Sequence, residues 1–497
     1  MTSYDVIVIG AGVVGSMIAR ALARYRLRTL LLDKAADVGE GTTKANTAIV
    51  HAGYDAKPGT LKARLNLAGN AQYDRVCSEL GVEFDRCGTY VVAASAEERI
   101  SLDELYARGR QNGVPGMTLI DGAEMRRREP SVTPQAVGAL YAATGGIVDP
   151  FGLCIAAAEC AVLNGVELAL ETEVTGIVRE GRRVAGVEIR KQMPGGNLAV
   201  QKLASRWVVI AAGLWADDLL HSAGLDGLSI TPRKGEYYVL DRVAAGQVHT
   251  VLFPCPTAFS KGILVTRTIH GNVMLGPNSV SISDKDDLAC TREGLDEVMQ
   301  GALKLVPGLD RRQIIRTFAG LRATQRPTGR SNTGDFVIEV PREVDGLLLC
   351  GAIESPGLAA APAIAAYVVD LLRGAGLTLV ERPDYDPTRP VQPRFSHLSR
   401  EEQQALIARD PRHGNIVCRC ETVTEGEIVA ACHAPIPART YDALKRRTRL
   451  GTGRCQGGFD TPLAIEIMAR ELGVSPLDLT LKGGGSRLVT RQTKAVA

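Results

Sequence analysis

Three glycines near the N-terminus have a spacing that suits dinucleotide binding. Residues 4–9 (YDVIVI) predict a β-strand that runs into Gly10-Ala-Gly-Val-Val-Gly15, and an alanine-rich helix follows to about Arg24. Gly10 permits a sharp turn, Gly12 lets a pyrophosphate approach the backbone, and Gly15 lets the helix pack on the strand. The N-terminus of that helix offers free amide groups to the phosphates.

A second predicted strand, residues 28–32, ends at Asp33, eighteen residues beyond Gly15. A carboxylate at this position is placed to accept hydrogen bonds from a ribose diol, and it would repel a 2′-phosphate. We therefore expect an adenosine group with free hydroxyls. The motif alone does not separate NAD from FAD, and a glycine turn without a nucleotide is the alternative to both.

The sequence beyond Asp33 favours a flavin over a nicotinamide. An NAD dehydrogenase of this type would continue into further βαβ units, but a loop rich in Gly, Thr and Asn follows at residues 39–47. Strand-to-turn segments recur at residues 207–215 and 346–357, before a helix predicted over 358–372 whose N-terminal amides would stabilise a reduced isoalloxazine. Three separated segments suit an extended FAD. The residues predicted to hold it non-covalently are Gly10, Gly12, Val13, Gly15, Asp33, Lys34, Thr42, Thr43, Asn46, Thr47, Val174, Ala212, Gly213, Trp215, Gly351, Ile353, Gly357 and Leu358.

Several longer motifs resemble those of the D-amino-acid-oxidase-like FAD-dependent oxidoreductases. Beside the glycine motif they are NTAIVHAGYDAKPGTLKARLN (46–66), RKGEYYVL (233–240), MLGPN (274–278), TFAGLRA (317–323), TGDFVIE (333–339) and ESPGLAAAPAIA (354–365). Within that group the chain is most similar to glycerol-3-phosphate dehydrogenase large subunits, and next to L-2-hydroxyglutarate dehydrogenases. The resemblance implies a flavin domain of discontinuous segments and a β-sheet substrate domain over the flavin ring.

The chemistry that this resemblance implies needs a base for the hydroxyl proton, a cation for the anionic group of the substrate, and the flavin for the hydride. His51 follows the flavin loop and is the predicted base, with a structural histidine bonded to backbone as the alternative. Arg322, in AGLRA, is the predicted clamp for a carboxylate or phosphate. The resemblance places Arg322 over the flavin, and a solvated surface arginine is the alternative.

Four further residues are predicted to bind the substrate. Arg233, Glu236 and Tyr237 belong to a β-rich run that we expect to enter the substrate domain. A salt bridge within that domain is the alternative for this group. Arg267 stands where the similar proteins usually have Pro, and Asn278 stands where they usually have Thr. Arg267 would add a cation to the pocket and favour an acidic substrate.

The C-terminal hundred residues contain a second group with potential chemistry. Cys418 and Cys420 are too close in sequence to form a mutual disulfide easily, but they can share a metal. The layout resembles the [2Fe-2S] domain of bacterioferritin-associated ferredoxins, in which a closing cysteine pair follows. Here Cys455 is present but Asp460 replaces the last cysteine. The four predicted ligands are therefore Cys418, Cys420, Cys455 and Asp460, and a domain that holds no cluster is the alternative.

The predicted fold class is α/β: a Rossmann-like FAD-binding domain, an α+β substrate domain with a mixed sheet, and a small helical C-terminal domain. The predicted ranges are 1–80, 145–220 and 330–376 for the FAD-binding domain, 81–144 and 221–329 for the substrate domain, 377–411 for a linker, 412–485 for the ferredoxin-like domain and 486–497 for a tail.

Composition limits the partners. A net charge of +3 does not suggest nucleic acid, and most of the eleven cysteines stand singly in apolar segments, which indicates a reducing cytoplasm. The longest apolar stretch, 358–372, is too short to span a bilayer, so a peripheral position at the inner membrane face is the alternative location.

The predicted function is an FAD-dependent dehydrogenase that acts on a small anionic 2-hydroxy compound. Glycerol 3-phosphate is the first candidate substrate, and its electrons would pass to a quinone or a partner subunit. The alternatives are a 2-hydroxyglutarate dehydrogenase, an oxidase that uses oxygen or acts on amino acids, and a redox-sensing subunit without turnover. An oligomer is compatible with the sequence.

Overall fold

The computed structural model describes residues 3–192, 198–256, 262–325 and 334–493. The predicted domain boundary at 329/330 and the last four residues of the predicted tail lie outside these ranges. The strands within them are β1 (Ser3–Ile9), β2 (Thr29–Leu32), β3 (Ile49–Val50), β4 (Phe84–Asp85), β5 (Thr89–Ala93), β6 (Met117–Asp121), β7 (Gly138–Ala142), β8 (Gly146–Val148), β9 (Glu167–Ala169), β10 (Thr172–Glu180), β11 (Arg183–Gln192), β12 (Leu198–Ile210), β13 (Ile230–Leu240), β14 (Val251–Pro254), β15 (Val265–Arg267), β16 (Val273–Leu275), β17 (Val280–Ser281), β18 (Ile314–Gln325), β19 (Val337–Glu339), β20 (Leu347–Gly351), β21 (Ile416–Cys418) and β22 (Val423–Thr424).

Helices cover the faces of these sheets and fill the C-terminal region. The α-helices are α1 (Val13–Leu22), α2 (Leu61–Asn70), α3 (Tyr73–Leu80), α4 (Ala96–Asn112), α5 (Gly122–Arg128), α6 (Pro150–Leu163), α7 (Ala216–Ser222), α8 (Arg292–Leu305), α9 (Gly357–Gly374), α10 (Arg400–Arg409), α11 (Glu425–Cys432), α12 (Tyr441–Thr448) and α13 (Thr461–Leu472).

The first sheet has a parallel centre in the order β9-β2-β1-β12-β20, and β10, β11 and β19 extend it with antiparallel pairs. Side chains alternate along β1 between two buried cores. Val6 and Val8 pack in one core with α1, α6 and α9, whereas Ile7 and Ile9 pack in the other with α7. Because both faces are buried, these strands are almost continuously apolar, as predicted for residues 4–9.

The second sheet has nine strands and is antiparallel except where β14 runs parallel to β5. Its longest pair joins β13 and β18, from Ile230 opposite Gln325 to Leu240 opposite Ile314. The strands of the first sheet fall at residues 3–32, 167–210 and 337–351, and those of the second at 89–142 and 230–325. The exact domain boundaries stay a prediction.

Helix α9 is long and apolar enough, by length and composition, to cross a membrane, which the sequence-based expectation had excluded for residues 358–372. In the structure it packs between α1 and α2, and most of its side chains lie in the core. Burial inside the protein therefore accounts for its composition.

The C-terminal domain consists of the β21–β22 hairpin and helices α11 to α13 around their own apolar core. Arginines of α12 join it to the loop that follows β2. Arg446 and Arg447 both bond the carboxylate of Asp37 at 2.7 Å, and Arg446 also reaches Glu40 at 2.6 Å. Because Asp37 is 1% exposed, these bonds form a buried interdomain contact.

Side chains of the predicted linker contact Glu83, and this contact gives a prediction for the stability of the protein in acid. Its carboxylate lies 3.3 Å from His270, 3.6 Å from Arg394 and 3.2 Å from His397. Burial raises the pKa of Glu83, but these neighbours lower it more, to about 2 from an ordinary 4.5. The stability that this depressed pKa contributes is complete above about pH 4.5 and is lost as the pH falls towards 2. We expect Glu83→Gln to flatten the decline of the melting temperature between about pH 5 and pH 2; an unchanged decline would show that other groups govern it.

Candidate active site

A cavity of about 1340 Å³ lies where the carboxyl ends of the first sheet meet the second sheet. Its floor comes from the β1–α1 turn, the loop at residues 40–47 and the start of α9, and its roof comes from β13 and β18. Ligands of open α/β sheets bind in this position, beyond the carboxyl ends of the strands.

The glycine turn has the geometry that its spacing predicts. Gly10 has a φ of +103°, and a Cβ there would lie 2.5 Å from the carbonyl oxygen of Ala211. A Cβ on Gly15 would lie 1.8 Å from the Gly10 carbonyl oxygen, so only glycine lets α1 pack this closely. At Gly12 a Cβ would meet only the Thr43 hydroxyl, at 3.3 Å, which leaves the backbone open towards the cavity.

Asp33 lies in the cavity at the end of β2. Its Oδ2 accepts a hydrogen bond from the Ala11 amide at 2.7 Å, and its Oδ1 accepts one from the Ala35 amide at 2.9 Å. Burial raises the pKa of this carboxyl, although both amides act against the shift. Each oxygen keeps a second lone pair for a ribose hydroxyl. Beside it, the Lys34 ammonium lies 3.3 Å from the centre of the Trp215 ring.

The loop that follows is organised by its own polar side chains. Thr43 Oγ1 accepts the Val13 amide at 3.0 Å, and the Asn46 side chain donates to the carbonyls of Thr42 and Thr43. Thr42 donates to the Leu321 carbonyl on β18 at 2.7 Å, which joins the floor to the roof. These threonine and asparagine side chains thus shape the backbone of the cavity wall.

The structure brings most of the predicted FAD-binding residues to this one cavity. Those that line it are Gly10, Gly12, Val13, Asp33, Lys34, Thr42, Thr43, Asn46, Thr47, Val174, Ala212, Gly213, Trp215, Ile353, Gly357 and Leu358. Gly15 and Gly351 do not line it. Gly15 lies beneath the turn, and Gly351 ends β20 against Leu228. The three separated segments and the uncapped first turn of α9 together fit an FAD molecule.

His51 lies at the far end of the same cavity. Its Nε2 is 3.4 Å from the Ser355 hydroxyl at the start of α9, and its ring centre is 5.8 Å from that of Phe253. Both neighbours line the cavity. The imidazole is therefore placed between the turn before α9 and the second sheet.

Arg322 reaches the cavity from β18. Its guanidinium donates to the carbonyls of Arg233 and Asn278 at 3.4 and 3.2 Å and to the Ser279 hydroxyl at 3.4 Å. These acceptors are neutral, and in the part of the chain that the structure describes no carboxylate forms an ion pair with it. Burial lowers the pKa of Arg322. A largely buried guanidinium whose hydrogen-bond acceptors are neutral is a strong site for a substrate anion.

Strand alternation divides the predicted substrate residues between two faces. Arg233 and Tyr237 face the cavity from β13, opposite Arg322 and Phe318 of β18, and Tyr237 stacks on Phe318 at 4.5 Å. Glu236 points the other way, because neighbouring residues of a strand face opposite sides. It is 1% exposed and accepts hydrogen bonds from Thr291 and Asn278.

Arg267 does not reach the cavity either. It pairs with Asp85 of β4, and burial lowers the pKa of its guanidinium. The prediction that Arg267 and Glu236 contact the substrate is therefore not supported by their positions. Strand β13 pairs with β18 in the register that turns Arg233 into the cavity, and this register turns Glu236 out of it. Arg267 instead pairs with Asp85, which lies 182 residues away in sequence.

Sequence reasoning missed an ion pair at the cavity wall. Lys62 Nζ lies 2.6 Å from Glu354 Oε1, and Thr324 donates to Glu354 Oε2 at 3.0 Å. Lys62 comes from α2 and Glu354 from the turn before α9, and 15% and 17% of their side chains are exposed. Both residues lie in quoted motifs, but no spacing rule pairs positions so far apart in sequence.

We expect Lys62→Met to destabilise the cavity wall by about 3 kcal/mol, because it leaves a buried carboxylate without its cation. Burial raises the pKa of Glu354, and Lys62 is the main group that lowers it. The measurement is the temperature at which flavin fluorescence is released, which should fall by several degrees. The double variant Lys62→Met/Glu354→Gln is the control, and it should recover most of the loss. If the double variant is as unstable as Lys62→Met, the lost pair is not the cause.

The predicted cluster ligands lie in the C-terminal domain. Cys418 and Asp460 are buried, Cys455 is half-buried and Cys420 is exposed. Among the described residues no group of three or more His, Cys, Asp or Glu surrounds a single ion position. Instead the four side chains form two pairs, Cys418 with Asp460 and Cys420 with Cys455. Two pairs of ligands suit a cluster of two irons better than they suit a single metal ion.

Comparison with known proteins finds a family match for both regions. Residues 5–371 match the FAD dependent oxidoreductase family, and residues 416–460 match the BFD-like [2Fe-2S] binding domain. A glycerol 3-phosphate dehydrogenase of Caloramator mitchellensis is 43% identical over 99% of each chain. An L-2-hydroxyglutarate dehydrogenase of Escherichia coli K12 is 33% identical over 59% of this chain and 66% of that one.

Among solved structures, the dithionite-reduced L-alpha-glycerophosphate oxidase of Mycoplasma pneumoniae with FAD bound is similar at a TM-score of 0.70 and 27% identity. The match covers 79% of this chain and all of that one. The fold, the cavity and these matches agree with the predictions of a flavin and an iron–sulfur domain. The chain belongs to the FAD dependent oxidoreductase family and carries a BFD-like [2Fe-2S] binding domain.

Proposed function

We propose that this enzyme oxidises the C2 hydroxyl of glycerol 3-phosphate to a ketone. Bound FAD would accept the hydride from C2, the hydroxyl proton passes to a base of this chain, and the product is dihydroxyacetone phosphate. The observation that carries the substrate proposal is the glycerol 3-phosphate dehydrogenase that is 43% identical over 99% of both chains. The cavity supports it because Arg322, a largely buried cation, and His51 both line it.

Each of this chain's residues has one role in the proposal. Arg322 binds the phosphate with its two-pronged guanidinium, and the neutral acceptors around it keep that charge available. His51 accepts the hydroxyl proton, and the Ser355 hydroxyl lies beside its imidazole. Tyr237 and Phe253 cover the site with apolar surface and exclude water.

We propose further that the electrons leave through the C-terminal domain towards a quinone or a partner subunit. Glu40 supports this route, because it lines the cavity and also bonds Arg446 of α12 at 2.6 Å. An oxidase would instead reduce oxygen. Hydrogen peroxide assayed in air separates the two: a dehydrogenase forms little peroxide and reduces an added dye, whereas stoichiometric peroxide would contradict this part of the proposal.

The substrate is tested by adding single compounds to the oxidised enzyme without oxygen. Glycerol 3-phosphate should bleach the flavin absorbance at low concentration, whereas glycerol, which lacks the anion, should require far more. L-2-hydroxyglutarate and an amino acid such as sarcosine complete the panel. If only L-2-hydroxyglutarate or only amines bleach the flavin, the substrate proposal is wrong while the family assignment stands.

A further inference from the structure

Asp460 occupies the position of the last cysteine in the C-terminal motif, and helix capping does not explain it. It precedes the first residue of α13, where an aspartate usually accepts a hydrogen bond from an amide of the first turn. No such bond forms here, and the Asp460 backbone is helical rather than extended. Its side chain therefore does not cap the helix that it precedes.

The Asp460 carboxylate is buried with one oxygen lacking a partner. The residue is 1% exposed, and Oδ1 accepts a hydrogen bond from the Tyr441 hydroxyl at 3.2 Å. Oδ2 has no hydrogen-bond partner, and no cationic side chain forms an ion pair with Asp460 anywhere in residues 3–192, 198–256, 262–325 and 334–493. A buried carboxylate in this state costs several kcal/mol. A positively charged ligand at Oδ2 would remove that cost.

The three cysteines of the motif differ in burial and in the side chain that each contacts. Cys418 is fully buried, and its thiol lies within hydrogen-bonding reach of the Asp460 carboxylate. Cys420 is exposed and contacts Cys455. Each iron of a [2Fe-2S] cluster takes two protein ligands, so neighbouring side chains share an iron. Cys418 and Asp460 form the inner pair, and Cys420 and Cys455 form the outer one.

We propose that Asp460 Oδ2 ligates the inner iron together with Cys418, so that three thiolates and one carboxylate hold the cluster. Tyr441 positions the carboxylate through Oδ1, and Thr461 in turn holds the Tyr441 hydroxyl at 2.9 Å. Ligand sets that differ between the two irons are known for this cluster type. The harder oxygen ligand favours the ferric state of the inner iron. This inference does not depend on which substrate the flavin oxidises.

The test uses the full chain prepared without oxygen. Wild-type protein should contain about two irons and two acid-labile sulfides per chain. Asp460→Asn, which keeps the shape but weakens the ligand, should lose at least half of the iron. Asp460→Cys should keep the iron and change the electron paramagnetic resonance spectrum of the dithionite-reduced protein, in which fully reduced flavin is silent. Asp442→Asn on the neighbouring helix α12 is the matched control and should behave as wild type.

Two results would overturn the proposal. One is full iron and an unchanged spectrum in Asp460→Asn, which would show that the carboxylate is not a ligand. The other is a wild-type protein that contains no iron while the Asp460→Cys variant binds it, which would show that Asp460 prevents cluster binding. Flavin content and far-ultraviolet circular dichroism equal to wild type show that each variant is folded.

Discussion

Replacing Arg322 with alanine will lower kcat/KM for glycerol 3-phosphate by about 30- to 5,000-fold while FAD stays bound. Loss of one partner from a desolvated charge pair costs about 2–5 kcal/mol, and each 1.36 kcal/mol is a factor of ten. The effect should be large because we propose the guanidinium as the anion site, and the three acceptors to which it donates are neutral. The measurement is the rate of anaerobic flavin reduction against substrate concentration.

Two variants sharpen this test. Arg322→Lys keeps the charge but loses the two-pronged geometry, so its activity should lie between alanine and wild type. Arg312→Ala removes an arginine near the start of the same strand that pairs with Asp310 on the surface, and it should reduce flavin at the wild-type rate. Normal bleaching of the flavin in Arg322→Ala would remove this residue from the substrate site.

The second large effect is expected for His51→Gln. Loss of a general base lowers kcat by about 100- to 10,000-fold. The substrate anion should still bind, because Arg322 is untouched, so inorganic phosphate should inhibit the residual activity as it inhibits wild type. The pH profile distinguishes a base from a structural histidine: the wild-type rate of flavin reduction should rise with pH, and the variant should lose that rise.

His249→Gln is the matched control for this prediction. His249 lies outside the cavity, 3.3 Å from Glu129, with 58% of its side chain exposed. It should keep both the rate and the pH profile. A His51→Gln enzyme with a small loss of rate and an unchanged pH profile would assign the proton transfer to another group or to water.

Local sequence patterns were enough to predict the part of the cavity that the first sheet and α9 form. The turn at Gly10, the acid at the end of β2 and the helix start at Gly357 are set by residues close together in sequence. Glycine without a Cβ and apolar strands buried on both faces leave few alternatives for such a segment. The same holds for the cysteine motif, whose spacing pointed to an iron–sulfur domain that the comparison supports.

The substrate half depended on contacts that no local pattern specifies. The register of β13 against β18 turns Arg233 and Tyr237 into the cavity and Glu236 out of it. The ion pair with Asp85 holds Arg267 outside the cavity. The sequence by itself therefore determined the cofactor class and the residue types available for chemistry. Only the tertiary structure decided which of them meet, because strand register and ion pairing between distant segments depend on the packing of the whole chain.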